Sequence, residues 1–203
     1  MNEKPILFNA EMVNAILSGR KTQTRRIIKP FPDSPQVLET RTAENGCVFA
    51  IHANRSNTQE GRFRWDCPLG KPGDQLWVRE NFSGDYEVEG MKPSQWSKFT
   101  PIWYWADGNP PFGDWTKPKP SIHMPRTASR INLLITGVRV ERLNTISTGD
   151  AMAEGYPADR EATGGHLDAW LWFRELWDGI YPDNTFEVNP WCWVIEFERM
   201  ESK

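Results

Sequence analysis

The chain has 203 residues, which suits a single domain with its own hydrophobic core. A net charge of −3 at pH 7 does not mark the whole molecule as a nucleic-acid binder, and three widely spaced cysteines without a Cys-x-x-Cys pair argue against a disulfide framework. No apolar run approaches the roughly 18 residues of a membrane span, and the N-terminus lacks the apolar core of a secretory signal, so we expect a cytoplasmic protein with no membrane partner.

Positive charge is concentrated in two acid-free stretches of the sequence. Residues 12–32 and 115–140 contain no aspartate or glutamate, and each carries several lysines and arginines, whereas acids cluster between residues 141 and 187. This asymmetry predicts a basic face on a protein that is acidic on average. No spacing of His, Cys, Asp and Glu resembles a zinc site, so we predict neither a metal nor another cofactor.

The first predicted elements are a short strand at residues 5–8 and an amphipathic helix at residues 9–18. Asn9 suits the N-cap of this helix, and Gly19 suits the position that ends it. The helix is followed at once by the basic segment, residues 19–26, which reads Gly-Arg-Lys-Thr-Gln-Thr-Arg-Arg. We therefore predict that the rest of the chain is a scaffold that presents the basic segment and closes a pocket over it.

The remaining sequence favours short strands joined by turns, with chain breaks at residues 31–35 and 54–61. The predicted elements are a hairpin of residues 37–41 and 47–52 around Asn45-Gly46, strands at 75–80, 101–106, 130–143 and 191–199, and helices at 148–154 and 167–178. Strands and helices do not alternate along this sequence, as they would in an α/β fold with a parallel sheet. We predict an α+β protein, a small and partly closed β-barrel of six to eight mostly antiparallel strands with about three helices, in one domain over residues 1–203.

Lys21 is the first candidate for catalysis. The neighbouring arginines lower the pKa of a lysine amine, and a neutral amine can act as a general base or a nucleophile. Thr24 lies three residues on and can offer its hydroxyl to the amine, while Glu80, at the end of a strand, can orient the lysine or carry a proton. This combination follows the hydroxyl–lysine–carboxylate logic of some amide hydrolases. Equally, Lys21 and the arginines can simply bind phosphates.

Further residues are candidates for substrate binding because they are cationic, aromatic or hydrogen-bonding. Trp77 and Tyr104 can stack a base, and His123 can contact a base edge or a phosphate, although core packing and a structural histidine are the ordinary alternatives. A Walker loop is excluded because the basic segment follows its helix. The predicted binding residues are Arg20, Arg25, Arg26, Trp77, Arg79, Tyr104, Ser121, His123 and Arg126.

The basic segment resembles a known family. Gly19-x-Lys21-x-x-Thr24, followed by Arg25 and Arg26, is similar to the G-x-K-x-x-x-x-R signature of ASCH domains, which are relatives of the PUA fold, a small β-barrel associated with RNA. Further segments are similar to a longer ASCH-like group often encoded by phages and prophages: residues 72–80, 121–126, 128–130 and 190–194. That group has an aromatic residue where this chain has Thr127.

The resemblance implies a function. Small bacterial ASCH proteins that remove the acetyl group from N4-acetylcytidine use a lysine, a threonine and a glutamate, for which Lys21, Thr24 and Glu80 are the matching positions here. This chain is about twice as long, and its insertion at about residues 81–120 has no counterpart in those enzymes. The expected partner is a modified nucleoside, RNA or single-stranded DNA. Two alternatives remain open: a binding module without turnover, and a metal-independent ribonuclease that uses Lys21 and His123.

Overall fold

The computed structural model describes residues 2–29, 38–52 and 63–201. In chain order the elements are β1 (Glu3–Leu7), α1 (Ala10–Leu17), β2 (Gln23–Ile27), β3 (Leu38–Thr42), β4 (Val48–His52), β5 (Phe63–Asp66), β6 (Gln75–Arg79), β7 (Phe82–Gly84), β8 (Ile102–Tyr104), β9 (Asn132–Arg142), α2 (Thr148–Ala153), α3 (Ala158–Glu161), α4 (Asp168–Ile180) and β10 (Trp191–Arg199). The predicted breaks at residues 31–35 and 54–61 and the first residue of the predicted hairpin, Val37, lie outside the described residues.

A five-stranded sheet with the order β1-β6-β9-β10-β2 forms the centre of the fold. β1 and β6 are parallel, and the other three pairings are antiparallel. β3, β4 and β5 form a second antiparallel sheet, and β7 pairs with β8 in a third. The α+β class and the mostly antiparallel strands are confirmed. Within the described residues the strands form three open sheets rather than a closed ring, with ten strands and four α-helices.

The central sheet is covered on both faces by apolar side chains. One hydrophobic cluster joins α1 to the sheet and includes Val13, Ile16, Leu133 and Ile195. A second cluster contains residues from α4, such as Phe173, and packs against Cys192 of β10. The amphipathic patterns of α1 and α4 therefore hold the two helices against this sheet, and each helix encloses one side of the region around β2.

The segment predicted to be an insertion, residues 81–120 and called the insertion below, has a small hydrophobic cluster of its own. The hairpin of β7 and β8 packs Phe82 against Trp96, and Met124 from the segment after the insertion completes the cluster. The Asn14 side chain of α1 donates a hydrogen bond of 2.9 Å to the backbone oxygen of Ala106, which ties the insertion to α1. No helix in the described part of the chain is long and apolar enough to cross a membrane.

Candidate functional site

The end of α1 turns the chain so that Lys21 enters the interior. Gly19 has a φ of 78°, the left-handed conformation that glycine adopts without strain. The backbone N–H groups of Arg20 and Lys21 both donate to the oxygen of Ala15, which satisfies one of the last carbonyl groups of the helix. Lys21 then forms an isolated β-bridge with Glu154, and the residue is only 2 % exposed.

The Lys21 amine contacts a carboxylate that the sequence did not reveal. Its Nζ donates to Oε2 and to the backbone oxygen of Glu154, each at 2.8 Å. Burial lowers the pKa of Lys21 below its ordinary value, and the Glu154 carboxylate opposes that shift. An ammonium group has three N–H donors, and Glu154 takes two of them. When the amine is neutral, its two N–H groups can still donate to Glu154, and its lone pair points in the third direction, where it can accept a proton.

Arg25 approaches the other oxygen of the same carboxylate. Its Nη1 donates to Oε1 of Glu154 at 3.2 Å, and its Nη2 donates to Oε2 of Glu141 at 3.1 Å. The guanidinium carbon is 5.8 Å from the centre of the Phe173 ring. The buried Nε has no hydrogen-bond partner among the described residues. An unpaired donor at such a depth is costly, and it is a common property of functional sites.

Glu154 is held in place by α2. Ser147 caps this short helix, and Asp150 completes a capping box with it. Gly155 follows with a φ of 105°, and a Cβ added there would lie 2.9 Å from Cβ of Ala15 and 3.2 Å from Cβ of Lys21. Only glycine therefore allows the end of α2 to approach the end of α1 so closely, and this approach brings Glu154 to Lys21.

Two neighbouring cavities meet at Glu154. The larger has a volume of about 390 Å³ and lies between α1, α4 and the chain after α2; Arg20 and Trp172 also line it. The smaller, of about 20 Å³, is lined by Thr24 and Arg25. The two cavities share Glu154, Met12 and Leu176 as lining residues. Thr24 is buried, so its hydroxyl lies in the interior beside the smaller cavity.

The structure does not bring the predicted acid, Glu80, to Lys21. Instead, both carboxylate oxygens of Glu80 accept hydrogen bonds of 2.9 Å from Arg130, and Arg130 also contacts Asp107 at 2.7 Å. β6, which precedes Glu80, lies three strands from β2 in the central sheet, a separation of about 14 Å at the usual strand spacing. The expected contact between Lys21 and Glu80 is therefore not formed, and the acid that contacts Lys21 is Glu154.

Two predicted binding residues lie near Lys21. Arg20 lines the larger cavity, and its Nη1 donates to the backbone oxygens of Gly155 and Tyr156 at 3.2 and 2.9 Å. Arg26 lines the smaller cavity, and its guanidinium carbon lies 5.4 Å from the centre of the Phe8 ring. Together with Arg25, these residues place three of the predicted arginines around the two cavities.

The other predicted binding residues lie elsewhere. Trp77 is buried against the guanidinium groups of Arg79 and Arg126, at 4.6 and 5.8 Å from its ring centre, so its faces are not open to a base. The Tyr104 ring packs under Arg130 at 4.1 Å. Ser121 and His123 form one turn of 3₁₀-helix at a separate groove. These residues do not join the cluster around Lys21.

Sequence reasoning missed the acids that surround the two cations. Glu154, Glu141 and Asp150 come from the acid-rich part of the chain, 116 to 133 residues from Lys21 and Arg25, the two cations that they contact. The available signal was that Glu154 ends a capped helix and precedes a glycine, which indicated a turn but not a partner. Nearby, burial raises the pKa of the Cys192 thiol to about 12, so this thiol is not a nucleophile.

Comparison with known proteins gave two similar solved structures. No protein-family model and no curated protein matches the sequence. The fold is similar to the crystal structure of an ASCH domain from Lactobacillus crispatus JV V101, with 13 % identity, a TM-score of 0.42 and coverage of 98 % of this chain and 79 % of that one. It is also similar to a protein from Enterococcus faecalis V583 that carries the family designation DUF984, with 11 % identity, a TM-score of 0.41 and coverage of 98 % and 80 %.

Proposed function

We propose that the cleft around Glu154 hydrolyses an amide bond on a substrate of nucleoside size, and that Lys21, Thr24 and Glu154 carry the reaction. The observation behind this proposal is the buried Lys21 amine, 2.8 Å from a carboxylate that lines both cavities. Burial favours the neutral amine, which is the form that accepts a proton. Phosphate binding alone would not require a lysine that is withdrawn from solvent.

Each group has a role that follows from its surroundings. The Thr24 hydroxyl attacks the acyl carbon while Lys21 takes its proton, so that a bond forms between oxygen and carbon. The Arg25 Nε donor stabilises the resulting oxyanion, an effect typically worth about 3 kcal/mol per donor. Lys21 then returns the proton to the leaving amine as the carbon–nitrogen bond breaks, and water hydrolyses the acyl-threonine. Glu154 orients the amine throughout.

The cleft supports a small substrate. A volume of about 390 Å³ falls within the usual range for small-molecule sites, and Trp172 and Arg20 offer an aromatic surface and a cation on its wall. The resemblance of the basic segment to enzymes that deacetylate N4-acetylcytidine favours an acylated pyrimidine nucleoside. The ribonuclease alternative has less support, because the hydrogen bonds of Lys21 go to Glu154 and His123 lines a different groove.

The test is hydrolysis of N4-acetylcytidine and related acylated nucleosides by the wild type and by Lys21→Met, Thr24→Val and Glu154→Gln. Loss of a general base or nucleophile lowers the rate by about 10² to 10⁴-fold, so we expect kcat/KM to fall by this much in the Lys21 and Thr24 variants. Glu80→Gln is the matched control: it changes an acid that is equally buried but outside the cleft, and its activity should remain. A wild type that is inert on the whole panel, or a Lys21→Met variant as active as the wild type, would overturn the proposal.

A further inference from the structure

A network of ion pairs extends from the cleft at Glu154 across one face of the central sheet. Arg25 of β2, Val194 of β10 and Arg139 of β9 lie directly opposite one another on the three strands. Opposite residues on antiparallel strands point to the same face, so the two arginines share a face. The Arg25 side chain is fully buried, whereas the Arg139 side chain is 33 % exposed. The members of the ion-pair network are Lys21, Arg25, Arg139, Glu141, Asp150, Glu154 and Glu196.

Two carboxylates connect the two arginines, each with one oxygen toward either side. Glu141 accepts a hydrogen bond of 2.6 Å from Nε of Arg139 with Oε1, and one of 3.1 Å from Nη2 of Arg25 with Oε2. Asp150 accepts from Nη2 of Arg139 at 2.9 Å with Oδ1, and its Oδ2 lies 3.8 Å from Nη2 of Arg25. The four side chains form a cycle, so a change at Arg139 is felt by both acids that hold Arg25 on the side away from Glu154.

Arg139 lies outside the cleft itself. It is not among the described residues that line the two cavities at Glu154. Its guanidinium also contacts the carboxylate of Glu196 on β10 and, at 3.3 Å, the side-chain oxygen of Gln23 on β2. Three carboxylates therefore face Arg139, and it acts on the cleft through its charge and through the groups that it shares with Arg25.

The charge of Arg139 matters because the ion-pair network holds four carboxylates and only three cations among its described members. Without Arg139, Glu141 and Asp150 attract Arg25 more strongly, in the direction away from Glu154. The Lys21 amine faces Glu154 and the cations Arg25 and Arg26. Additional negative charge near this amine favours the ammonium form, which cannot accept a proton.

We propose that Arg139 is a positioning residue, which shares Glu141 and Asp150 with Arg25 and thereby holds the Arg25 guanidinium beside the cavity and keeps the Lys21 amine able to accept a proton. The catalytic consequence rests on the proposed hydrolysis. The effect on Lys21 follows from the charges of the ion-pair network and needs no substrate.

The first experiment titrates the Lys21 amine by NMR in protein with isotope-labelled lysine, in which the Lys21 signal is the one that Lys21→Met removes. Arg139→Gln should raise the pKa of Lys21 by about 0.5 to 1, the change expected when one charge roughly 10 Å away is lost in a partly buried site. Arg64→Gln is the matched control, because it removes an equal charge from an exposed ion pair with Asp66 in the second sheet. The pKa of Lys21 should not change in this control.

The second experiment measures the hydrolysis of N4-acetylcytidine. Arg139→Gln should lower kcat about tenfold because the oxyanion donor is displaced, with KM nearly unchanged because Arg139 does not touch the substrate. The acidic limb of kcat/KM should move to higher pH, by as much as the NMR titration of Lys21 does. Arg139→Lys keeps the charge without the planar fork, so it should restore the limb but only part of kcat.

A pKa of Lys21 that is the same in Arg139→Gln as in Arg64→Gln would overturn this proposal, and so would a variant in which KM alone changes. If thermal unfolding shows that Arg139→Gln does not fold, Glu196→Gln tests the same network with the opposite sign. It removes an acid that faces Arg139 at the surface, so the pKa of Lys21 should fall, and an unchanged or higher value contradicts the proposal. A wild type that is inert on acylated nucleosides removes the proposed function but leaves the NMR titration as a test of Arg139, so the two fail separately.

Discussion

Two buried carboxylates in this protein, Glu80 and Glu154, contact cations in different ways, and Glu154 lines two cavities. Glu80 is 1 % exposed, and Arg130 occupies both of its oxygens and then contacts Asp107. Glu154 is 4 % exposed and binds Lys21 and Arg25, but it also lines two cavities, beside an arginine nitrogen without a partner. We call Glu80, Arg130 and Asp107 the Glu80 cluster; its charged groups hydrogen-bond to one another. We call Glu154, Lys21 and Arg25 the Glu154 cluster; one of its donors, Arg25 Nε, has no partner among the described residues.

The difference teaches how to distinguish a structural ion pair from a reactive one. Both clusters contain deeply buried charge, and burial shifts the pKa upwards for Glu80 and downwards for Lys21. A shifted pKa therefore does not identify the site. What separates the clusters is that Arg25 Nε has no partner among the described residues and that Arg25 lines a cavity, because such a donor can bind a substrate without first breaking a contact of the protein.

The largest expected effect of a single change on stability is in the Glu80 cluster. Arg130→Met leaves the Glu80 carboxylate buried without its partner, so we expect the free energy of unfolding to fall by about 3–5 kcal/mol, measured by urea denaturation. The double variant Glu80→Leu/Arg130→Met should recover most of that loss because no buried charge is left unpaired. Activity per folded molecule should not change. If Arg130→Met abolished hydrolysis while stability stayed constant, the assignment of the two clusters would be reversed.

A smaller loss of stability is expected from a substitution at Gly155, where the end of α2 approaches the end of α1 beside Glu154. Gly155→Ala places a Cβ 2.9 Å from Ala15 and imposes a left-handed φ on alanine, for which we expect a loss of about 1–3 kcal/mol and a displaced Lys21. Gly179→Ala in α4 is the control, since a Cβ there meets nothing within 4 Å and should be neutral or slightly stabilising. Equal melting temperatures for the two variants would contradict the close approach.

The smallest expected effect is the change of kcat/KM with pH. Because burial lowers the pKa of Lys21, we expect an acidic limb of kcat/KM with an apparent pKa below the ordinary 10.5, along which activity falls about tenfold for each pH unit. Folding lowers this pKa, so the contribution of Lys21 to stability is present above the unfolded value and is lost as pH falls through the folded one. Glu80→Gln should leave the limb in place. A limb that persists in an active Lys21→Arg variant would belong to another group.

Local chemistry in the sequence was enough to predict the elements around Lys21. Asn9 caps α1 by accepting a hydrogen bond from the backbone N–H of Met12, and Gly19 ends that helix, as their residue types indicated. β3 and β4 pair antiparallel on either side of the Asn45-Gly46 turn, as expected for a hairpin. These features depend on contacts within a few residues, so a single sequence reveals them.

Local sequence did not reveal which acid, Glu80 or Glu154, contacts Lys21. Both acids follow a short element and precede a turn or a loop, and no local pattern distinguishes them. The order of strands in the central sheet separates β6 from β2, and the absence of a side chain at Gly155 lets Glu154 approach Lys21 across 133 residues of sequence. Local residue types thus predicted Lys21 as a candidate residue, the helix α1 that precedes it and the turn at Gly19 that ends this helix. The partner of the lysine was established by packing, because Coulomb attraction depends on distance in space and not on separation along the chain.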